Sequence, residues 1–541
     1  MKRFFTVLFL LLLFAAEVMP QSSSITVNGY VSGVWDVDTV RVTDDIAVAE
    51  GDSLIILPGV LLEFSGPYSF YIRGYVHALG SPDAFIVFDV ADTLGFSVDT
   101  LPQGGWNGVH FYYNGGLPDS SLFEYCVFRH GKAVSPDTLE NYGGAVSIRY
   151  SDKVRFSHCD FTNNFAAYNG GALYAEVSTF QVDHCMFADN RCGPADFPWG
   201  YGGAICADQS EVRITNNIFT GNSSTGVGGA VAIRFRDAMV GNNIFTYNHS
   251  ALGGAIGYLH YYQYAHSQHN NLIYGNTAEF FGGGIASLDA GPTFVNNTIT
   301  QNASVYGGGF YVKDSLIPNL YNTILWDNNA AVGPEVYLWD AFASANFYYC
   351  NVAGGPELFG GSGGGAGYGG EYLENIDEDP LFADAANLDF HLSPSSPCIN
   401  AGTPDTSGLG LPAWDLDGMP RIDHYHQIID MGCYEQIEVG QTGPSANTRA
   451  ETPIAFPNPF TENVRIDFVM ARGGQCRVMV YDMYGNHVKT LCKHEINAGP
   501  LSLWWDGTGH DGAKVAAGSY IAVPFLDGQA MRPVSLLKAG R

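Results

Sequence analysis

Gly143-Gly144-Ala145-Val146, Gly170-Gly171-Ala172-Leu173 and Gly202-Gly203-Ala204-Ile205 open a phrase that this chain keeps repeating. It returns at Gly228-Gly229-Ala230-Val231 and Gly253-Gly254-Ala255-Ile256, then as Gly282-Gly283-Gly284-Ile285 and Gly307-Gly308-Gly309-Phe310. Successive second glycines lie 27, 32, 26, 25, 29 and 25 residues apart. Between them runs a second phrase that closes on asparagine, at Asn164, Asn190, Asn222, Asn248, Asn276, Asn302 and Asn328. A period of this length means stacked units, each burying its apolar face only against its neighbours.

Within a unit the apolar period is two. Val154 and Phe156, Phe180 and Val182, and Val212 and Ile214 alternate ahead of the second phrase, and Val146 and Ile148 or Val231 and Ile233 alternate after the glycines. Alternation by two marks strands with one buried face. Short strands punctuated by Gly and Asn make each repeat one coil of a right-handed parallel β-helix, with like residues stacked about 4.8 Å apart. The first position of the second phrase reads Cys126, Cys159, Cys185, Asn217, Asn243, Asn271, Asn297, Asn322, Cys350. Stacked asparagines can bond one another, so Asn243 is expected inside and Asn302 exposed. The glycines suit corners of positive φ or close approach between coils.

The paired glycine and Phe-x-x-Asn phrases resemble the repeats of the polymorphic outer-membrane-protein and pectate-lyase-like β-helix superfamily. That resemblance implies the fold and leaves activity open, because one scaffold carries adhesins, lyases and hydrolases.

Around the repeats, the 541 residues divide by composition. Residues 1–21 read as a secretory signal, with Lys2 and Arg3 ahead of the apolar Phe4–Ala16. Residues 22–436 are the expected β-helix: cap and first coils over 22–112, regular repeats over 113–350, closing coils over 351–436. Residues 437–452 read as a linker. Residues 453–541 carry 9 basic and 7 acidic side chains, so of the net −29 the first 452 residues hold −31. Such an acidic body repels nucleic acid and anionic membrane, and no later apolar run is long enough for a transmembrane segment.

From Phe456-Pro457-Asn458-Pro459 onward, short alternating strands predict a small Ig-like β-sandwich. Tyr481-Asp482, Gly518-Ser519-Tyr520 and Leu537-Lys538 complete a motif set similar to FlgD-type Ig-like and type IX secretion sorting domains. The resemblance implies export to the surface or medium of a Gram-negative-type bacterium, with the outer-membrane secretion machinery as partner of residues 453–541. The fold class is therefore all-β, a parallel β-helix followed by an Ig-like sandwich.

Candidate site residues come from the register. Five residues after each second glycine an outward column reads Arg149, Glu176, Asp208, Arg234, Leu259, Leu288, Lys313. Two carboxylates flanked by arginines suit acid/base chemistry on a sugar, or a solvated ion-pair ladder. Tyr258, Tyr261, Tyr262 and Trp199 are candidates for stacking on a polysaccharide or cell-surface glycan. Binding or adhesion is the leading function, and a lyase or hydrolase the alternative. Lys132, Lys153 and Lys313 are the only lysines of the expected mature helix, which weakens the lyase version. No cofactor is expected. Asp415-Leu416-Asp417-Gly418 resembles part of a calcium loop but lacks the remaining acidic ligands, and reads as a polar turn. Two disulfides are expected in an oxidising setting, Cys398–Cys433 and Cys476–Cys492. His266 and Gln268 fall on positions where the register expects inward apolar residues, by a bulge or a misplaced register.

Overall fold

The computed structural model describes residues 23–436, apart from 114–119, 194–198, 261–265, 315 and 423–427, and most of residues 454–538. The signal segment and the linker lie outside the described residues. The body is a parallel β-helix, each coil contributing strands to stacked ladders. One ladder stacks the post-glycine strands, from Val146–Arg149 through Leu173–Glu176 and Ile205–Asp208 to Val336–Leu338. A second stacks Val154–Ser157, Thr179–Asp183 and their equivalents in a 13-stranded sheet. A third stacks the Phe-x-x-Asn strands, among them Asp160–Thr162, Met186–Ala188 and Ile218–Thr220. Near the N-terminus, Thr39–Val48 follows Ser24–Tyr30 and pairs with both Leu61–Phe64 and Phe70–Ile72, so one strand serves both the first and third ladders.

Like residues stack as the repeat predicts. Phe88, Phe128, Phe161, Phe187, Phe219 and Phe245 form a column of near-parallel rings, with centroids 4.6 to 4.9 Å apart. The two glycines of each pair do different things. The first sits at φ between +66° and +74°, where a side chain would be strained. A Cβ on the second would meet a carbonyl oxygen of the next coil, at 2.1 Å for Gly171 and 2.0 Å for Gly229.

Asparagines bind the coils in two internal ladders. Asn217, Asn243 and Asn271 each donate through Nδ2 to the Oδ1 of the next asparagine at 3.0 to 3.1 Å, ending on Asn297. Asn297 then donates its N–H to Thr323 Oγ1, which replaces Asn322 as the occupant of this column. Asn322 is one residue earlier, at a left-handed corner with φ +50°. The second ladder runs Asn164, Asn190, Asn222, Asn248, Asn276, Asn302, Asn328, and Glu335 caps it by accepting from Asn328. Asn302, expected to be exposed, is fully buried there, because the corner after its strand turns the side chain inward. His266 and Gln268 are also inward, with strand His266–His269 paired regularly and without a bulge. Tyr258 points into the same interior, which removes it as an outward stacking residue.

Residues 377–422 and 428–435 do not make the expected closing coils. They form a flap that returns along the outside of the third ladder. Corner asparagines hold it: Asn270 donates to Trp414 O at 2.8 Å, and Asn296 donates to Asp430 O at 2.8 Å. Thr403 N–H donates to Asn322 Oδ1 at 2.7 Å. Its apolar side chains cover outward residues, Phe390, Cys433 and Tyr434 on Leu272 and Tyr274, and Leu392, Cys398 and Met431 on Ile324. Cys398 and Cys433 therefore sit in separate apolar clusters, and all ten cysteines are free thiols, so the expected disulfides are not formed. Cys476 and Cys492 do share one core, that of the sandwich, on adjacent strands.

Because each ladder amide both donates and accepts, replacing one strands two neighbours at about 1–3 kcal/mol for each buried group left unmade. Asn243→Leu and Asn302→Leu should lower stability comparably in denaturant titrations. The exposed Asn329→Leu should shift it by less than about 0.5 kcal/mol. A neutral Asn302→Leu would place that side chain outside the ladder.

Candidate ligand-binding face

The outward positions of the post-glycine strands form two columns. The column predicted from the register is present. Paired strands align Tyr112 with Arg149, Arg149 with Glu176, Glu176 with Asp208 and Asp208 with Arg234. It continues through Leu259, Leu288 and Lys313, and Trp339 follows the last paired residue, Leu338. Arg149 Nε lies 3.5 Å from Glu176, and Arg234 donates to Asp208 at 2.9 Å. The four charges thus resolve into two ion pairs.

Aromatic rings brace both arginines. The Arg149 guanidinium lies 4.8 Å from the Tyr142 ring and 5.3 Å from Tyr174, and that of Arg234 lies 4.6 Å from Tyr201. Asp208 is largely buried, and its Oδ1 has no partner among the described residues. Burial raises its carboxyl above the ordinary range, Arg234 opposes this, and Glu176 adds to it.

The second column, two residues earlier on each strand, reads Tyr71, His110, Ser147, Tyr174, Cys206. Glu140 joins it from the end of a short 3-10 helix, Thr138–Glu140, accepting from Tyr71 Oη at 2.8 Å and from Ser135 Oγ at 2.9 Å. His110 is buried beside Tyr71, its Nε2 2.6 Å from Asn107 O, and burial lowers its pKa. Sequence reading missed Tyr71, His110, Glu140, Tyr142 and Tyr174. Extending the register by one outward position would have found His110 and Tyr174. Glu140 lies in a single 3-10 turn, too short to carry a periodic signal.

Exposed rings mark the two ends of the face. Tyr113 and Tyr150 stack 4.9 Å apart at corners next to Tyr112 and Arg149, and Tyr113 is 65% exposed. At the other end Phe281, Tyr306, Tyr311, Tyr337 and Trp339 cluster, with Trp339 42% exposed. Trp199 is exposed two residues before Tyr201, whereas Tyr261 and Tyr262 lie outside the described residues.

Asp415 and Asp417, the calcium candidates, are engaged within the flap. Asp415 accepts from the N–H groups of Asp417, Met419 and Glu435. Asp417 lies 2.6 Å from His391 Nε2, and Asp389 lies 2.8 Å from Nδ1. This is the polar-turn arrangement, with a histidine between two carboxylates.

Residues 100–262 match the Right handed beta helix region family, and residues 461–523 match the FlgD Ig-like domain family. No curated protein matches the chain. The chain is all-β, with a body of stacked parallel sheets in the manner of a right-handed β-helix and small antiparallel sheets near the C-terminus, and domains of both matched kinds are typical of extracellular proteins. Among the described residues, no helix is long and apolar enough to cross a membrane.

His391 supplies a pH test of the flap. Burial alone lowers its pKa, but the bonds to Asp389 and Asp417 win and raise it from 6.5 to about 10. The imidazolium's contribution is thus complete below 6.5 and is lost as pH climbs through about 10. Hydrogen exchange in 389–392 and 431–434, corrected for intrinsic rate, should accelerate between neutrality and about pH 11. His391→Gln should flatten that dependence. Exchange unchanged in the wild type over the same range would remove His391 as the anchor.

Proposed function

We propose that the protein is exported and binds a linear, uncharged glycan laid along the column from Tyr112 to Trp339. The observation that carries this reading is a single outward column with exposed aromatic rings at both ends and internally neutralised ion pairs between them. Aromatic faces stack on the apolar faces of sugar rings, and the carboxylates and guanidiniums hydrogen-bond hydroxyls. A coil repeat of about 4.8 Å offers one set of groups per sugar of an extended chain. A net charge of −29, with Asp289, Asp314 and Asp340 near Lys313, disfavours a polyuronate.

On a panel of neutral and acidic glycans, binding should favour neutral chains. Tyr150→Ala and Trp339→Ala should each weaken it by about tenfold, as loss of an aromatic anchor does. Affinity unchanged in both variants would remove this face. A second reading, hydrolysis of the same glycan, is favoured by the raised, partly unsatisfied Asp208 beside Glu176. Product analysis on the same panel tests it: Glu176→Gln and Asp208→Asn should each abolish cleavage, and cleavage surviving both assigns the chemistry elsewhere.

Export, in this reading, runs through residues 453–541, supported by the FlgD Ig-like match over 461–523. Deleting these residues should retain the protein in the periplasm. Normal surface or medium levels of the truncated chain would reduce the module to a spacer.

A further inference from the structure

The outward face of the third ladder is mostly apolar, with Asp160 and Thr298 as its polar interruptions. Its column runs Val127, Asp160, Met186, Ile218, Ile244, Leu272, Thr298, Ile324. The flap covers the later part, from Ile244 to Ile324. The earlier part lies beyond the flap's clusters, yet Val127 is only 4% exposed and Met186 only 7%.

The Ig-like module has a matching excess. Its core takes alternate residues, Val478 and Val480, Tyr520 and Ala522, and Leu536. The residues between them belong to the outer side of the same sheet: Met479, Tyr481, Ile521, Val523 and Leu537. On an isolated sandwich this side would face water, but Val523, Leu537 and Ile521 are all buried. Leu537 packs in one cluster with Met186, Ala188 and Ile218. A second point of approach is Tyr481. Burial raises its phenol, Arg477 opposes this, and the charge of Asp83, from the β-helix, adds to the rise.

We propose that Val127, Met186, Ala188 and Ile218 form a docking strip on the β-helix, and that its occupant is the outer sheet of this chain's own C-terminal module, held by Leu537, Ile521 and Val523. Flap and module then seal one continuous apolar column between them, the flap at its C-terminal end and the module at its N-terminal end. Charge favours the pairing, since the module carries 9 basic and 7 acidic residues against −31 on the remainder. Asp160 is the misfit in the strip, standing between Val127 and Met186. It is only partly covered, and desolvation still pushes its carboxyl up to about 7. The module is therefore a clamped cover, and removing it bares a hydrophobic strip.

The test uses the full chain with a protease site placed within residues 437–452. After cleavage, the wild-type halves should stay together in size-exclusion chromatography at micromolar concentration, as one copy of each. Leu537→Asp on the module, or Met186→Asp on the helix, should weaken the pairing by about tenfold or more, as expected for a central apolar contact. Asp160→Val should tighten it. Unfolding profiles of both halves keep misfolded variants apart from undocked ones, and the Met186 and Asp160 variants leave the module unaltered. Wild-type halves that separate as readily as those of Leu537→Asp would overturn the proposal. So would a cleaved product containing two copies of each half, which would make a second chain the occupant.

Discussion

Parallel stacking lets an amide that enters the interior find its partner in the coil above or below. The two asparagine ladders do this, each amide donating to one neighbour and accepting from the other at about hydrogen-bond length. Much else in the body follows from them. The coils must keep a common register, so the glycine pairs recur where one backbone passes against the next. The ends of the ladders need different chemistry. Cys185 and Thr323 bound the first, and the second terminates on Glu335, whose carboxyl burial raises to about 8 against the hydrogen bonds from Asn328.

A coil with three principal faces has to decide which of them meets water. The post-glycine face keeps its charges and exposed rings. The Phe-x-x-Asn face presents Met186, Ile218, Leu272 and Ile324 outward, which no isolated β-helix could leave wet at low cost. The flap and the Ig-like module are answers to that requirement. The corner asparagines contribute twice, by adopting positive φ and by offering side-chain amides to the flap.

The ion-pair column is built on the same register that builds the core. Arg149, Glu176, Asp208 and Arg234 alternate with inward Ile148, Ala175, Ala207 and Ile233, so the spacing of the charges is set by core packing. That coupling gives the face a regular spacing. A long, shallow, regularly spaced surface suits an extended polymer better than a small molecule.

The repeat, its inward and outward alternation, the charged column and the presence of an Ig-like module were legible in the sequence, because each depends on local periodicity. A period of two reports only the side of the strand on which a residue lies. It says nothing of what later covers that side. So Asn302 and Tyr258 were misassigned by local reading, and Asn322 was placed one residue off, because a left-handed corner intervenes. Residues 351–436 read as closing coils by their motifs, and only the tertiary structure turns 377–422 and 428–435 back along the helix. Burial of Met186 and Ile324 is decided by segments far away in the chain, and contacts of that range carry no local signal.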